Sequence, residues 1–111
     1  DERIAVLGTP GGSRIISMVI QGVLALDAGK SAAETVAEPR VHHQYLPDQV
    51  SIEKDALSPE LRAGLEARGH VIKEEPRSWG NMQVVTWDLD DGEVEAGADP
   101  RWKTVGKGST D

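Results

Sequence analysis

The sequence predicts an α+β fold, and three observations carry that expectation. A short apolar run, Ile4-Ala5-Val6-Leu7, breaks at glycines and gives way to a long apolar segment, Ile15 to Leu26, as a strand, a tight turn and a helix would. Two further stretches begin with helix-capping patterns. Between and after them stand short runs of alternating polarity, the last two joined by Asp90-Asp91-Gly92, a hairpin signature.

Arg3 to Leu7 reads as the first strand, and Ser13 to Ala28 as the longest helix. That helix is apolar around most of its girth, with only Arg14, Ser17 and Gln21 as a narrow polar stripe. Such a helix is expected to be covered on several sides, which a chain of 111 residues does poorly alone; it implies packing by something further or by a second copy. Gly29 suits its C-cap. Ser31-Ala32-Ala33-Glu34 is a capping box that opens a short helix to Ala37, and Pro39 stops it. His42 to Asp48 is expected to be irregular. Gln49 to Lys54 alternates around Val50 and Ile52 as a strand. Ser58-Pro59 is an N-cap with proline at the first helical position. Leu61 and Leu65 mark one face of that helix, Arg62 and Glu66 pair outside it, and Gly69 closes it. Val71 to Glu75 reads as a charged edge strand ended by Pro76. Met82 to Asp88 and Glu93 to Ala98 form the hairpin, and Lys103 to Asp111 is expected to be a loose tail. No repeat and no second domain are visible.

Composition narrows the function. The chain has the length of one small domain, and with no Phe and few aromatics its core is expected to be built mostly of Val, Leu, Ile and Ala. A net charge of −7 argues against a nucleic-acid backbone as partner. With no cysteine, disulfides, thiolate metal sites and cysteine nucleophiles are excluded. No stretch approaches the ~18 consecutive apolar residues of a membrane span, and no signal peptide is visible.

Gly8-Thr9-Pro10-Gly11-Gly12-Ser13-Arg14-Ile15 is the stretch that points to chemistry. Glycines at a helix start present N–H groups without intrahelical partners and with no Cβ in the way. The helix dipole adds partial positive charge there. Such a turn suits a carboxylate, a phosphate or the oxyanion of acyl transfer, and the same pair also serves as a plain strand–helix turn.

Taken in order, Gly8 to Ile15, then Glu38-Pro39-Arg40-Val41-His42-His43-Gln44, Leu46-Pro47-Asp48, Glu53-Lys54 and Gly97-Ala98-Asp99-Pro100-Arg101, the chain resembles the C-terminal end of the γ-glutamyltranspeptidase family. The resemblance runs from about Ile4 to Arg101. It implies the C-terminal portion of an N-terminal-nucleophile hydrolase, a four-layer αββα sandwich, with residues 1–102 belonging to the catalytic domain and 103–111 to the tail. It implies transfer of a γ-glutamyl group from glutathione or a related amide to water, an amino acid or a peptide, through an acyl-enzyme on an N-terminal Thr. No residue of this chain matches that Thr, because Thr9, Thr35, Thr86, Thr104 and Thr110 are internal. The family's substrate-holding Ser-Ser pair and acidic residue would lie upstream of Asp1. The resemblance makes Gly11 and Gly12 the oxyanion hole. It implies no cofactor, and as partners a γ-glutamyl compound and the upstream remainder of the same protein, namely the large subunit and the start of the small one. The chain, which begins at Asp1 without Met, is expected to be a fragment that is inactive alone and self-associates. A periplasmic or secreted location is compatible with the family. A glutaryl (cephalosporin-type) acylase is the alternative, because the residues that would discriminate the two lie upstream.

The other polar clusters read as structural. His42 and His43 are adjacent on an extended segment, so their side chains diverge and do not share a metal. Asp88, Asp90 and Asp91 suggest a calcium loop, but Gly92 and Asp99 occupy positions that need other ligands. Arg14 and Arg40 are expected in ion pairs, and Asp99-Pro100-Arg101 in a turn with an Asp–Arg contact. Trp79, Trp87 and Trp102 are assigned to packing or partner contacts.

Overall fold

A computed structural model describes residues 2–102. The elements follow as β1 (Arg3–Gly8), a 3₁₀ turn (Gly12–Arg14), α1 (Ile15–Asp27), α2 (Ala32–Ala37), β2 (Val41–His43), β3 (Val50–Ile52), α3 (Pro59–Ala67), β4 (Ile72–Glu74), β5 (Gln83–Asp88) and β6 (Val94–Ala98). They separate into two compact units, one built from the segments up to Glu38 and from Trp79 onward, the other from Pro39–Ser78. The expected tail, Lys103 to Asp111, lies outside the described residues.

In the first unit β1, β5 and β6 make an antiparallel sheet with β5 in the centre. The period-2 alternation of β5 divides its side chains: Val84 and Thr86 are buried, while Val85 and Trp87 face outward. Against the inner face lie Met18 and Leu26 of α1 and Ala32 and Val36 of α2, forming a core with Met82 and Val84. Burying each of the larger side chains contributes about 1.5–3 kcal/mol. The approach of α2 needs a residue without Cβ on β6, because a Cβ on Gly97 would stand 2.4 Å from the Ala32 carbonyl oxygen.

The helix ends follow the sequence signals. Ser31 accepts the Glu34 N–H and Glu34 accepts the Ser31 N–H, closing the capping box. Behind α1, Gly29 at φ 87° lets Gly29 and Lys30 donate to Leu26 and Ala25; behind α3, Gly69 at φ 93° does the same with Glu66 and Leu65. Both are Schellman closures.

The outer face of the sheet is apolar. Ile4 stands opposite Trp87 and Val6 opposite Val85, and all four are exposed. The helix α1, apolar around most of its girth, is buried along one side, at Met18, Gly22, Ala25 and Leu26. Ile16, Ile20, Val23 and Leu24 on its other sides are 50–71% exposed, because α2, β1 and Met82 all pack against the one buried side.

In the second unit β3 pairs antiparallel with β2 and parallel with β4, with α3 as the crossover that a parallel pair requires. The segment expected to be irregular from His42 to Asp48 begins as strand, Val41–His43, held by its register with Ile52, Ser51 and Val50. Its three residues carry no alternation long enough to read. Arg62 and Glu66 pair at 3.7 Å on α3, as the i,i+4 spacing predicts.

Candidate functional site

The glycine turn stands at the C-terminal end of β1 and opens the helical stretch. Gly11 has φ 149° and ψ 16°, and Gly12 has φ 60°. Both lie in backbone regions that favour glycine. A Cβ on Gly11 would also stand 2.5 Å from the Met18 methyl, so the buried thioether forms the floor of the turn. Arg14 N–H donates to the Gly11 carbonyl at 3.1 Å, and Ile15 N–H donates to the Gly12 carbonyl. The two carbonyls are thus engaged, while the N–H groups of Gly11 and Gly12 have no hydrogen-bond partner among the described residues. Pro10, Gly11, Gly12 and Ser13 are exposed. No carboxylate lies in the first turn of either helical element. The arrangement is a solvent-facing pair of backbone donors at a helix start, suited to an anion or a developing oxyanion.

Two contacts tie this turn to the segment before β5. The Thr9 hydroxyl accepts Asn81 N–H at 3.1 Å, and the Arg14 guanidinium lies 4.5 Å from the centroid of the Trp79 ring, within cation–π range. Neither was legible in the sequence, since about seventy residues separate the partners and no local pattern joins them. The aromatic contact is the Arg14 interaction that the ion-pair expectation did not foresee.

The remaining candidates are dispersed. His42 Nε2 contacts Gln44 at 2.8 Å, and His43 Nε2 contacts Asp48 at 2.9 Å. Asp88 accepts the N–H groups of Asp90 and Asp91, and Asp91 accepts that of Glu93, so these carboxylates shape the hairpin turn. Arg40 and Glu53 are buried side by side: Glu53 accepts Arg40 N–H at 2.7 Å and its own N–H donates to the Arg40 carbonyl. Asp99 is fully buried and pairs with Arg101 at 3.0 Å, as its turn pattern predicts. A groove lined by Arg3, Leu7, Val23, Leu26 and Asp27 lies at the opposite end of α1 from the glycine turn, and its Arg3 is committed to the carbonyls of Leu26 and Lys30.

The layer of mixed sheet and helix has an open apolar sheet face and is entered through a strand–glycine turn–helix, and the solved structures that it matches carry the N-terminal-nucleophile hydrolase fold. The sequence profile described as Gamma-glutamyltranspeptidase matches residues 1–109, and the chain belongs to that family. It is 39% identical over 97 residues to the glutathione hydrolase proenzyme of Escherichia coli K12, covering 86% of this chain and 16% of that protein. It is 34% identical over 105 residues to the glutathione hydrolase proenzyme of Pseudomonas aeruginosa, covering 91% and 18%. Among solved structures, the gamma-glutamyltranspeptidase of Pseudomonas nitroreducens complexed with L-DON superposes with a TM-score of 0.82 at 32% identity, covering 96% of this chain and 55% of that one. The Bacillus anthracis transpeptidase CapD shares the fold, with a TM-score of 0.74 at 23% identity. The chain thus spans about a sixth of the length of these curated relatives.

Proposed function

We propose that this chain is the C-terminal part of an enzyme that transfers a γ-glutamyl group from glutathione or a related amide to water or to an amino acid or peptide. In this reading Gly11 and Gly12 are its oxyanion hole. The observation that carries the reading is the pair of exposed, unpartnered N–H groups on a turn that glycine alone accommodates well. The nucleophile is the hydroxyl of an N-terminal Thr supplied from outside the chain. Its oxygen bonds to the γ-glutamyl carbonyl carbon while its proton passes to a base, for which its own α-amino group serves. The carbonyl oxygen becomes an anion between the two glycine N–H groups. Collapse expels the leaving amine with a proton and leaves an ester, which water or an acceptor amine then cleaves. Each backbone donor contributes roughly 2.7–4 kcal/mol to stabilising that intermediate.

The partner implied is the remainder of the same protein. Ile4, Val6, Val85 and Trp87 on the open sheet face and Ile16, Ile20 and Leu24 on α1 offer it an apolar surface larger than scattered exposure accounts for. The test is to produce the chain with its native upstream region and measure release from a γ-glutamyl anilide, with a glutaryl anilide in parallel. Preferential γ-glutamyl turnover is expected, and Gly11→Ala is expected to lower kcat by about 10²–10³. Preferential glutaryl turnover would move the protein to the acylase reading. The chain alone is expected to be inactive and to self-associate in light scattering through the same apolar faces.

A further inference from the structure

We propose that Thr9 is a positioning residue that aims the Gly11 N–H, an inference that rests on the oxyanion reading above. The argument starts from the peptide plane. The Pro10 carbonyl and the Gly11 N–H belong to one planar peptide unit, which is trans, so they point in opposite directions. Whatever holds that carbonyl sets the direction of that N–H. The Thr9 hydroxyl donates to the Pro10 oxygen at 2.8 Å.

The hydroxyl is itself anchored. Its oxygen accepts Asn81 N–H at 3.1 Å and lies 3.7 Å from the Met18 sulfur. The next amide, Met82 N–H, donates to Asp99 Oδ2 at 2.9 Å, and Asp99 is fully buried and held by Arg101. Thr9 therefore reads a fixed point in the segment before β5 and transmits it to the turn. The Gly12 donor is set differently. Its peptide plane carries the Gly11 carbonyl, which Arg14 N–H holds at 3.1 Å inside the 3₁₀ turn. The two N–H groups thus have separate supports, a side chain for one and helical backbone for the other.

Thr9→Val keeps the branched shape and removes the hydroxyl, while Thr9→Ser keeps the hydroxyl. In the full-length protein, Thr9→Val is expected to lower kcat for a γ-glutamyl anilide about tenfold, since small misplacements of catalytic groups have effects of this order or more. KM should stay within about twofold of the parent, because the donor acts on the intermediate and not on the bound substrate. Thr9→Ser should restore kcat. Independently of turnover, the Gly11 amide resonance of glycine-labelled protein should move in Thr9→Val and return in Thr9→Ser, with that of Gly12 left in place. An unmoved Gly11 resonance overturns the inference, and so does a moved one with unchanged kcat. Absence of γ-glutamyl turnover in the unsubstituted protein rejects the proposed function instead, and the amide resonance then decides alone whether Thr9 orients Gly11.

Discussion

Behind the β1–β5–β6 sheet lie Met18, Leu26, Ala32, Val36, Met82 and Val84, whereas between Pro39 and Ser78 the buried set is Arg40, His42, Ser51 and Glu53 beside Val50 and Ile52. Apolar burial is non-directional and scales with area, so that cluster is held by volume and shape, with the buried Thr35, Thr86 and Asp99 of the same unit lying outside it. Buried polar groups hold only in one geometry, because each must keep its partner. The glycine turn stands on the first kind of interior. Its floor is a Met18 methyl, a group that fills space without dictating a hydrogen-bond direction. Direction must then come from elsewhere, from Thr9 on one side and the 3₁₀ turn on the other.

The contrast breaks most visibly at Met82, which is 2% exposed and packs beside Gly22 and the α1 core. Met82→Ala is expected to destabilise the protein by about 2–5 kcal/mol, and Met82→Leu by less than about 1.5 kcal/mol. Denaturant melts measure both. A loss on Met82→Leu as large as on Met82→Ala would mean that the first unit depends on detailed shape and not on volume. In the second unit the expected order is set by chemistry. Glu53→Leu, close in size, strips the acceptor from buried Arg40 N–H and should destabilise by about 1–3 kcal/mol, while Glu53→Gln keeps a carbonyl oxygen for that N–H and loses less. Equal losses for Leu and Gln would show that the carboxylate charge, not the hydrogen bond, holds Arg40 in place.

The same contrast explains what was legible in the sequence. Caps, Schellman glycines and the Asp90-Asp91-Gly92 hairpin are written within four or five neighbouring residues, and each formed where its pattern stands. The glycine turn was legible for the same reason, since glycine is the residue for which φ 60° and φ 149° cost little. Strand β2 was not, because three residues, Val41-His42-His43, gain their extended form from pairing with β3 and not from alternation. The parallel partnership of β3 with β4 and the links Thr9–Asn81 and Arg14–Trp79 are decided by tertiary packing. The apolar pattern of α1 records what the helix is built to meet and not what the described residues supply, so Ile16, Ile20, Val23 and Leu24 stand exposed.

The smallest expected effect separates the two capped helices. At α3, Ser58 accepts Leu61 N–H and position N3 is that leucine, so the cap runs one way and carries no titratable group of its own. At α2, the cap is reciprocal, and Glu34 takes part as a carboxylate accepting the Ser31 N–H at 3.0 Å. That backbone hydrogen bond, then the one with the Ser31 hydroxyl and the charge of Lys30, hold the Glu34 carboxyl below its ordinary value of 4.5. A carboxyl lowered in the folded state contributes stability that is present above the unfolded value and disappears as pH falls through the folded one. The contribution of α2 should therefore be full at neutral pH and fade below about pH 4.5. Glu34→Gln keeps an acceptor for Ser31 N–H and removes the proton linkage, so the difference in melting temperature between Glu34→Gln and the parent should shrink as pH is lowered through that window. A difference that stays constant from pH 7 to pH 3 would show that the cap works through hydrogen bonding alone, and would make α2 and α3 alike in the one respect where the sequence sets them apart.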